Sequence, residues 1–189
     1  MQDNNTTAGS GTTASALVPL NIFDSIQART PTRTAKATPE RIAQLLARVR
    51  ECPKKSDAPL FNFNEHLPGA TSRSTSNIVR AHAVVGDIDH GFNESGFEAG
   101  LSELEQSGAQ VLAYQTYSHT PEAPRWRVVV FLDEPVAPED YTECWAGLND
   151  VMGGMLDSNA KDCARISYVP SCPPGEIREV RTLNIGGGA

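Results

Sequence analysis

The sequence contains no apolar run near the roughly 20 residues that span a bilayer. Its first 16 residues are polar and lack the basic start and apolar stretch of a secretion signal, so a cytoplasmic protein with no membrane partner is expected. The four cysteines, Cys52, Cys144, Cys163 and Cys172, form no Cys-x-x-Cys pair and read as free thiols of a reducing compartment. A zinc site built from Cys163, Cys172 and His90 matches no standard spacing. The glycines near the C-terminus lack the Lys-Ser/Thr that completes a phosphate-binding loop. Ser118 and His119, as neighbours on a strand end, cannot pair as nucleophile and base. Membrane proteins, disulfide scaffolds, Walker-type nucleotide enzymes and triad hydrolases are thereby set aside.

What is present is an ordinary soluble composition over 189 residues, 39% hydrophobic and 21% charged, enough for one domain with a real core. The net charge of −7 argues against coating nucleic acid by bulk electrostatics. The charge is unevenly placed, however. Residues 1–80 carry 10 Lys and Arg against 6 Asp and Glu, whereas the remainder carries 6 against 17. A basic front on an acidic body suits a protein that holds a polyanion with one part and metal ions with the other.

Residues 1–20 are expected as a disordered tail, because the Asn, Thr, Gly and Ser of Met1 to Ala16 cannot bury enough apolar surface to offset ordering. Residues 21–80 read as a small N-terminal α/β unit. In it, Thr38 and Pro39 open a helix that runs to near Cys52, and Leu60 to Phe63 form a short strand. Residues 81–175 follow the order strand (Ala83 to Asp89), helix (Glu94 to Gln106), strand (Gln110 to Ser118), strand (Trp126 to Leu132), helix (Pro138 to Met152), strand (Arg165 to Val169). Residues 176–189 are expected as a linker or tail. The class is α+β, and the order is the βαββαβ, ferredoxin-like arrangement also used by RNA-recognition modules.

In that arrangement the first two strands run parallel with the third between them, and the fourth lies antiparallel to the first. One rim of the sheet then collects Asp87 and Asp89, Ser118 and His119, Arg125 and Arg127, and Asp162 and Arg165, with Asp157 just upstream. Asp87 and Asp89, two apart on a strand, send their carboxylates to one face about 7 Å apart at Cα. They repel unless a cation sits between them, and Mg²⁺ or Mn²⁺ with oxygen ligands is the natural occupant, with Asp157 as a third carboxylate. Gly86 leaves room for a ligand or another backbone. Alternation sends Arg125 and Arg127 opposite the Trp126 indole, and His119, Arg127 and Arg165 would meet triphosphate charge. The set matches two-metal nucleotidyl transfer.

Three stretches, VVGDIDHG, TYSHTPEAPRWRVVVFL and MLDSNAKDCARISYVPS, resemble the three motifs of the archaeo-eukaryotic primase superfamily, in particular the primase-polymerase domains of phage and plasmid replication proteins. The likeness covers roughly Asn21 to Pro174. It implies that Asp87, Asp89 and Asp157 bind two catalytic Mg²⁺ or Mn²⁺ ions and that His119 contacts the incoming nucleotide, with Ser118, Arg127 and Arg165 in support. One position departs: Tyr117 stands where the family carries a small residue, leaving Ser118 or Thr116 to supply the hydroxyl. Asp162 is the alternative third ligand. Nucleoside triphosphates, a single-stranded DNA template and a replicative helicase domain or protein are the implied partners, with Arg41, Arg48, Lys54 and Lys55 steering the template. The rival readings are a non-catalytic single-stranded nucleic-acid binding module and a metal-dependent nuclease or glycosyl transferase.

Overall fold

A computed structural model describes residues 16–186. The expected tail before residue 16 and the glycine run at 187–189 lie outside the described residues. In chain order the strands are β1 (Val18–Phe23), β2 (Arg33–Ala37), β3 (Arg50–Glu51), β4 (Leu60–Asn62), β5 (Asn64–His66), β6 (Ile78–Ile88), β7 (Gln110–Gln115), β8 (Trp126–Val136), β9 (Ser167–Tyr168), β10 (Ser171–Cys172) and β11 (Val180–Leu183). The α-helices are α1 (Pro39–Leu46), α2 (Glu94–Gln106) and α3 (Tyr141–Val151).

The main sheet has the order β11-β7-β8-β6-β5, with antiparallel neighbours throughout. Its centre is as the crossover rule requires, since β6 and β7 run parallel on either side of β8. Two features depart from the ferredoxin-like expectation. The place beside β6 is filled by β5, from the N-terminal part of the chain. The Arg165 to Val169 strand shrinks to Ser167–Tyr168 and joins a second sheet, β2-β1-β4-β9, against Leu60 and Phe61. The expected C-terminal tail also contributes β11 to the open side of β7, and Val18 to Leu20 belong to β1.

Period-two alternation divides the main sheet into two faces. Val84, Ile88, Trp126 and Val128 pack with Phe97, Leu101, Trp145 and Leu148 of α2 and α3. Ala83, Val129, Phe131 and Tyr114 pack on the other face with Val18, Leu20, Phe61 and Ile42. The face that an RNA-recognition module leaves open is therefore covered here by the second sheet and α1. Asn21 knits the covering layer to the edge of the main sheet, donating to Asn62 Oδ1 (2.8 Å) and the Asn64 carbonyl (2.7 Å).

The helices follow their local signals. Thr38 accepts from the Arg41 amide and Pro39 occupies the first turn, but α1 stops at Leu46 rather than near Cys52, freeing Arg50 and Glu51 to pair with β10. Gly100 lets α2 approach α3, because a Cβ there would lie 2.8 Å from the Val151 carbonyl oxygen. From β11, the Arg181 guanidinium lies over the rings of Trp126 (5.2 Å) and Phe97 (5.7 Å) and pairs with Glu98 and Glu179. This cation lid shields the aromatic end of the helix-side core.

Candidate active site

Of the residues expected at one rim, Asp87, Asp89, Arg127, Asp162 and Arg165 line one cavity, and Ser118, His119, Arg125 and Asp157 do not. Register places Asp87 opposite Arg127, and Arg127 opposite Tyr114. These three side chains point to the covered face, where the two sheets part and leave a cavity of about 390 Å³. Asp87, Asp89, Asp162, Arg127 and Arg165 all line it, joined by Lys55, Arg73, Tyr114, Tyr117 and Tyr168.

Asp87 and Arg127 form its buried floor, exposed 5% and 8%. The guanidinium grips both carboxylate oxygens, Nε to Oδ1 and Nη2 to Oδ2, while Nη1 donates to Tyr114 Oη (3.2 Å) and the Tyr168 carbonyl (2.9 Å). Burial opposes ionisation of Asp87, but the charge and hydrogen bonds of Arg127 outweigh it and hold the carboxyl below the usual range. Burial likewise pushes the Tyr114 phenol up to about 12, so it keeps its proton and donates a hydrogen bond to the Tyr168 carbonyl at 2.7 Å.

Nearer the mouth, Asp89 accepts from Arg125 Nη1 at 3.3 Å. Arg165 donates to the Asn159 carbonyl, and Arg73 ties the carbonyls of Ile26, Ala28 and Ala164 together. Lys55 sits at the entrance, its Nζ 5.2 Å from the centre of the Tyr168 ring. Desolvation and the nearby Arg127 charge lower its pKa, against the pull of Asp89 and Asp87.

The third motif reaches the first through backbone rather than carboxylate. The Asp157 amide donates to the Asp87 carbonyl at 2.7 Å, and Leu156 fills the space above Gly86, where a Cβ would meet its Cδ1 at 2.6 Å. The approach that Gly86 permits is therefore made by the protein itself. The Asp157 carboxylate turns back to accept from the Asn159 backbone and side-chain amides, both at 3.0 Å. It does not line the cavity, whereas Asp162 does. Ser118 and His119 also lie outside the lining: His119 Nδ1 accepts from the Arg125 amide and its ring stands edge-on to Trp126. Desolvation and the charge of Arg178 lower the His119 pKa. Arg41, Arg48 and Lys54 are exposed and away from the cavity. Lys55, Arg73, Tyr114 and Tyr168 line the cavity although the sequence patterns gave them no place in the site. Their approach depends on long-range packing, which no local pattern signals.

Residues 66–177, more than half of the chain, match the family described as the VapE N-terminal domain. The chain belongs to this family. The chain also resembles the AEP domain of the cyanophage S-2L primase-polymerase, with 15% identity, 92% of this chain and 83% of that chain covered, and a TM-score of 0.43. No curated protein matches its sequence. No helix among the described residues of the VapE domain is long and apolar enough to cross a membrane.

A two-ion site is implied by the primase resemblance. Among the described residues, no three His, Cys, Asp or Glu side chains come close enough together to hold a metal ion. Asp87 is bound by Arg127, Asp89 by Arg125 and Asp157 by Asn159. In this arrangement the carboxylates do not fit the two-ion set. The same holds for Cys163, Cys172 and His90 as a zinc site.

Proposed function

We propose that the chain is the catalytic domain of a phage or plasmid DNA primase-polymerase, a nucleotidyltransferase that joins nucleoside triphosphates on a single-stranded template. The observation that carries the reading is the convergence of Asp87, Asp89, Asp162, Arg127 and Arg165 on one cavity. These residues come from separate segments: the end of β6, β8 and the stretch that precedes β9. The cavity is of a size that takes a small ligand, and cations at its mouth suit a polyphosphate. Asp89, half-buried and held by one bond to Arg125, is the carboxylate most readily freed for a ligand. The carboxylates as arranged among the described residues do not fit two ions. Mg²⁺ or Mn²⁺ as cofactor, a DNA template and a helicase partner belong to this proposal through the resemblance.

The reading is tested by primer synthesis on single-stranded DNA with labelled ribo- or deoxynucleotides, in Mg²⁺ or Mn²⁺. The wild type is expected to give a ladder of products, and Asp89→Ala to abolish it while leaving the fold intact. A ladder that survives both Asp89→Ala and Asp87→Asn overturns the proposal. One observation favours a second reading, a nucleic-acid binding module without catalysis: Asp87 is already neutralised from within the protein. In that case the same assay gives no product although oligonucleotide is bound.

A further inference from the structure

Tyr117 lines the cavity. Its hydroxyl donates to the carbonyls of Cys52 (3.3 Å) and Pro53 (3.2 Å), in the segment that leads into Lys55. Lys55 opens a single 3-10 turn, Lys55–Asp57, whose N-cap residue Lys54 makes no side-chain capping bond. The turn has its own backbone bonds, from the Asp57 amide to the Lys54 carbonyl (3.0 Å) and from the Ala58 amide to the Lys55 carbonyl (3.2 Å), and the segment leading into it is tied to the rest of the protein by Tyr117 and by the Cys52 amide on the Cys172 carbonyl (2.9 Å). Tyr117 is in turn clamped from behind. Arg178, 8% exposed, donates to the carbonyls of Thr116 (3.0 Å) and Tyr117 (2.9 Å) and pairs with Glu176 (2.7 Å).

Arg127 is committed to Asp87, Tyr114 and the Tyr168 carbonyl and Arg73 to three carbonyls, while the exposed Arg165 makes one bond, to the Asn159 carbonyl. Among the described residues, Lys55 has no carboxylate partner. It is a point charge with three donors at the mouth of a site, with a tyrosine ring beneath it.

We propose that Lys55 takes the anionic tail of the substrate and that Tyr117, clamped by Arg178, is the positioning residue that sets it there. The inference rests on the nucleotide reading and deepens it, the ligand group being the polyphosphate of a nucleoside triphosphate.

The test is calorimetric titration of the purified chain with inorganic tripolyphosphate, ATP and AMP. The wild type is expected to bind tripolyphosphate and to prefer ATP to AMP. Lys55→Met should weaken tripolyphosphate and ATP by about tenfold or more, the scale of one charge-assisted contact, and AMP far less, while Lys55→Arg should retain most of the affinity. Tyr117→Phe should weaken tripolyphosphate in the same direction by about threefold and add nothing to Lys55→Met, because both act through one ammonium. A purely structural role for Tyr117 would lower ATP and AMP binding alike, and its effect would persist in the double variant. Unchanged tripolyphosphate binding in Lys55→Met, or full additivity of the two changes, overturns the inference and leaves the nucleotide reading standing. Failure of the wild type to bind either tripolyphosphate or ATP removes both.

Discussion

Replacing Arg127 with Met is expected to cost about 3–5 kcal/mol of folding stability. A solvent-exposed ion pair contributes about 0–1 kcal/mol, and one neutral hydrogen bond about 1 kcal/mol. The side chains here are only 9% and 7% exposed, so the variant leaves a largely desolvated carboxylate without its paired guanidinium. Arg165 and Lys55, whose charges also act on Asp87, bring the cost toward the lower end. The Tyr168 carbonyl keeps its bond from Tyr114 and adds little. Urea unfolding followed by the fluorescence of the buried Trp126 and Trp145 measures the loss. The pH dependence has a definite sign. In the wild type the Asp87 pKa lies below its ordinary value, so its contribution is present above that value and disappears as pH falls through the folded pKa. In the variant, desolvation dominates and raises the pKa, so protonation relieves the buried charge and the gap between the two proteins narrows from neutral pH toward about pH 4. Asp87→Asn combined with Arg127→Met should cost less than the two single changes added together. A single-variant loss under about 1 kcal/mol, or a gap that does not change with pH, refutes the reasoning.

Three further predictions follow from packing and charge. Alanine ordinarily gains about 1 kcal/mol over glycine in a helix, yet Gly100→Ala should lose about 1–3 kcal/mol, since its Cβ would meet the Val151 carbonyl and Met152 Sδ below 3 Å; a raised melting temperature contradicts this. Desolvation lowers the pKa values of His66, His82 and His119, so the fold favours their neutral forms. Stability is full above the unfolded value of about 6.5 and declines as pH falls below it, and a urea midpoint that rises on acidification counts against this. Asp157→Ala removes the side-chain cap of the Ser158–Ala160 turn and should cost about 1 kcal/mol, which denaturant titration resolves; no loss would mean the cap contributes nothing.

The parts of the fold governed by local chemistry are legible in the chain. Helix α2 runs from Glu94 to Gln106 as its apolar spacing and Gly108 predict, and the crossover rule alone brings Asp87 and Arg127 to one rim. What periodicity does not carry is the identity of a partner strand. Arg165 to Val169 has the composition of a strand, but only Ser167 and Tyr168 pair, and they pair with the second sheet because β5 already occupies the margin beside β6. Val180 to Leu183 is too short a run to separate from a tail without β7 beside it. At the site, Asp157 followed by Ser158 and Asn159 suits a local turn as well as it suits a metal ligand, and the nearby amides take the carboxylate. Lys55 reaches the cavity through Tyr117, a residue far along the chain, so no window of sequence around it shows the approach.

The stretch shared with the family begins at residue 66 and stops at 177, so it omits β11 at one margin of the main sheet and most of β5 at the other. A fragment cut to that outline would bare the outer amides and carbonyls of β7 and strip Arg181 from the Trp126 indole. It would also lose Val18, Leu20 and Phe61 from the layer over Val129 and Phe131. Such a piece would carry all three motifs and still present raw, adhesive sheet borders. The evolutionary outline and the smallest self-supporting body are different objects here, and a soluble preparation has to follow the second.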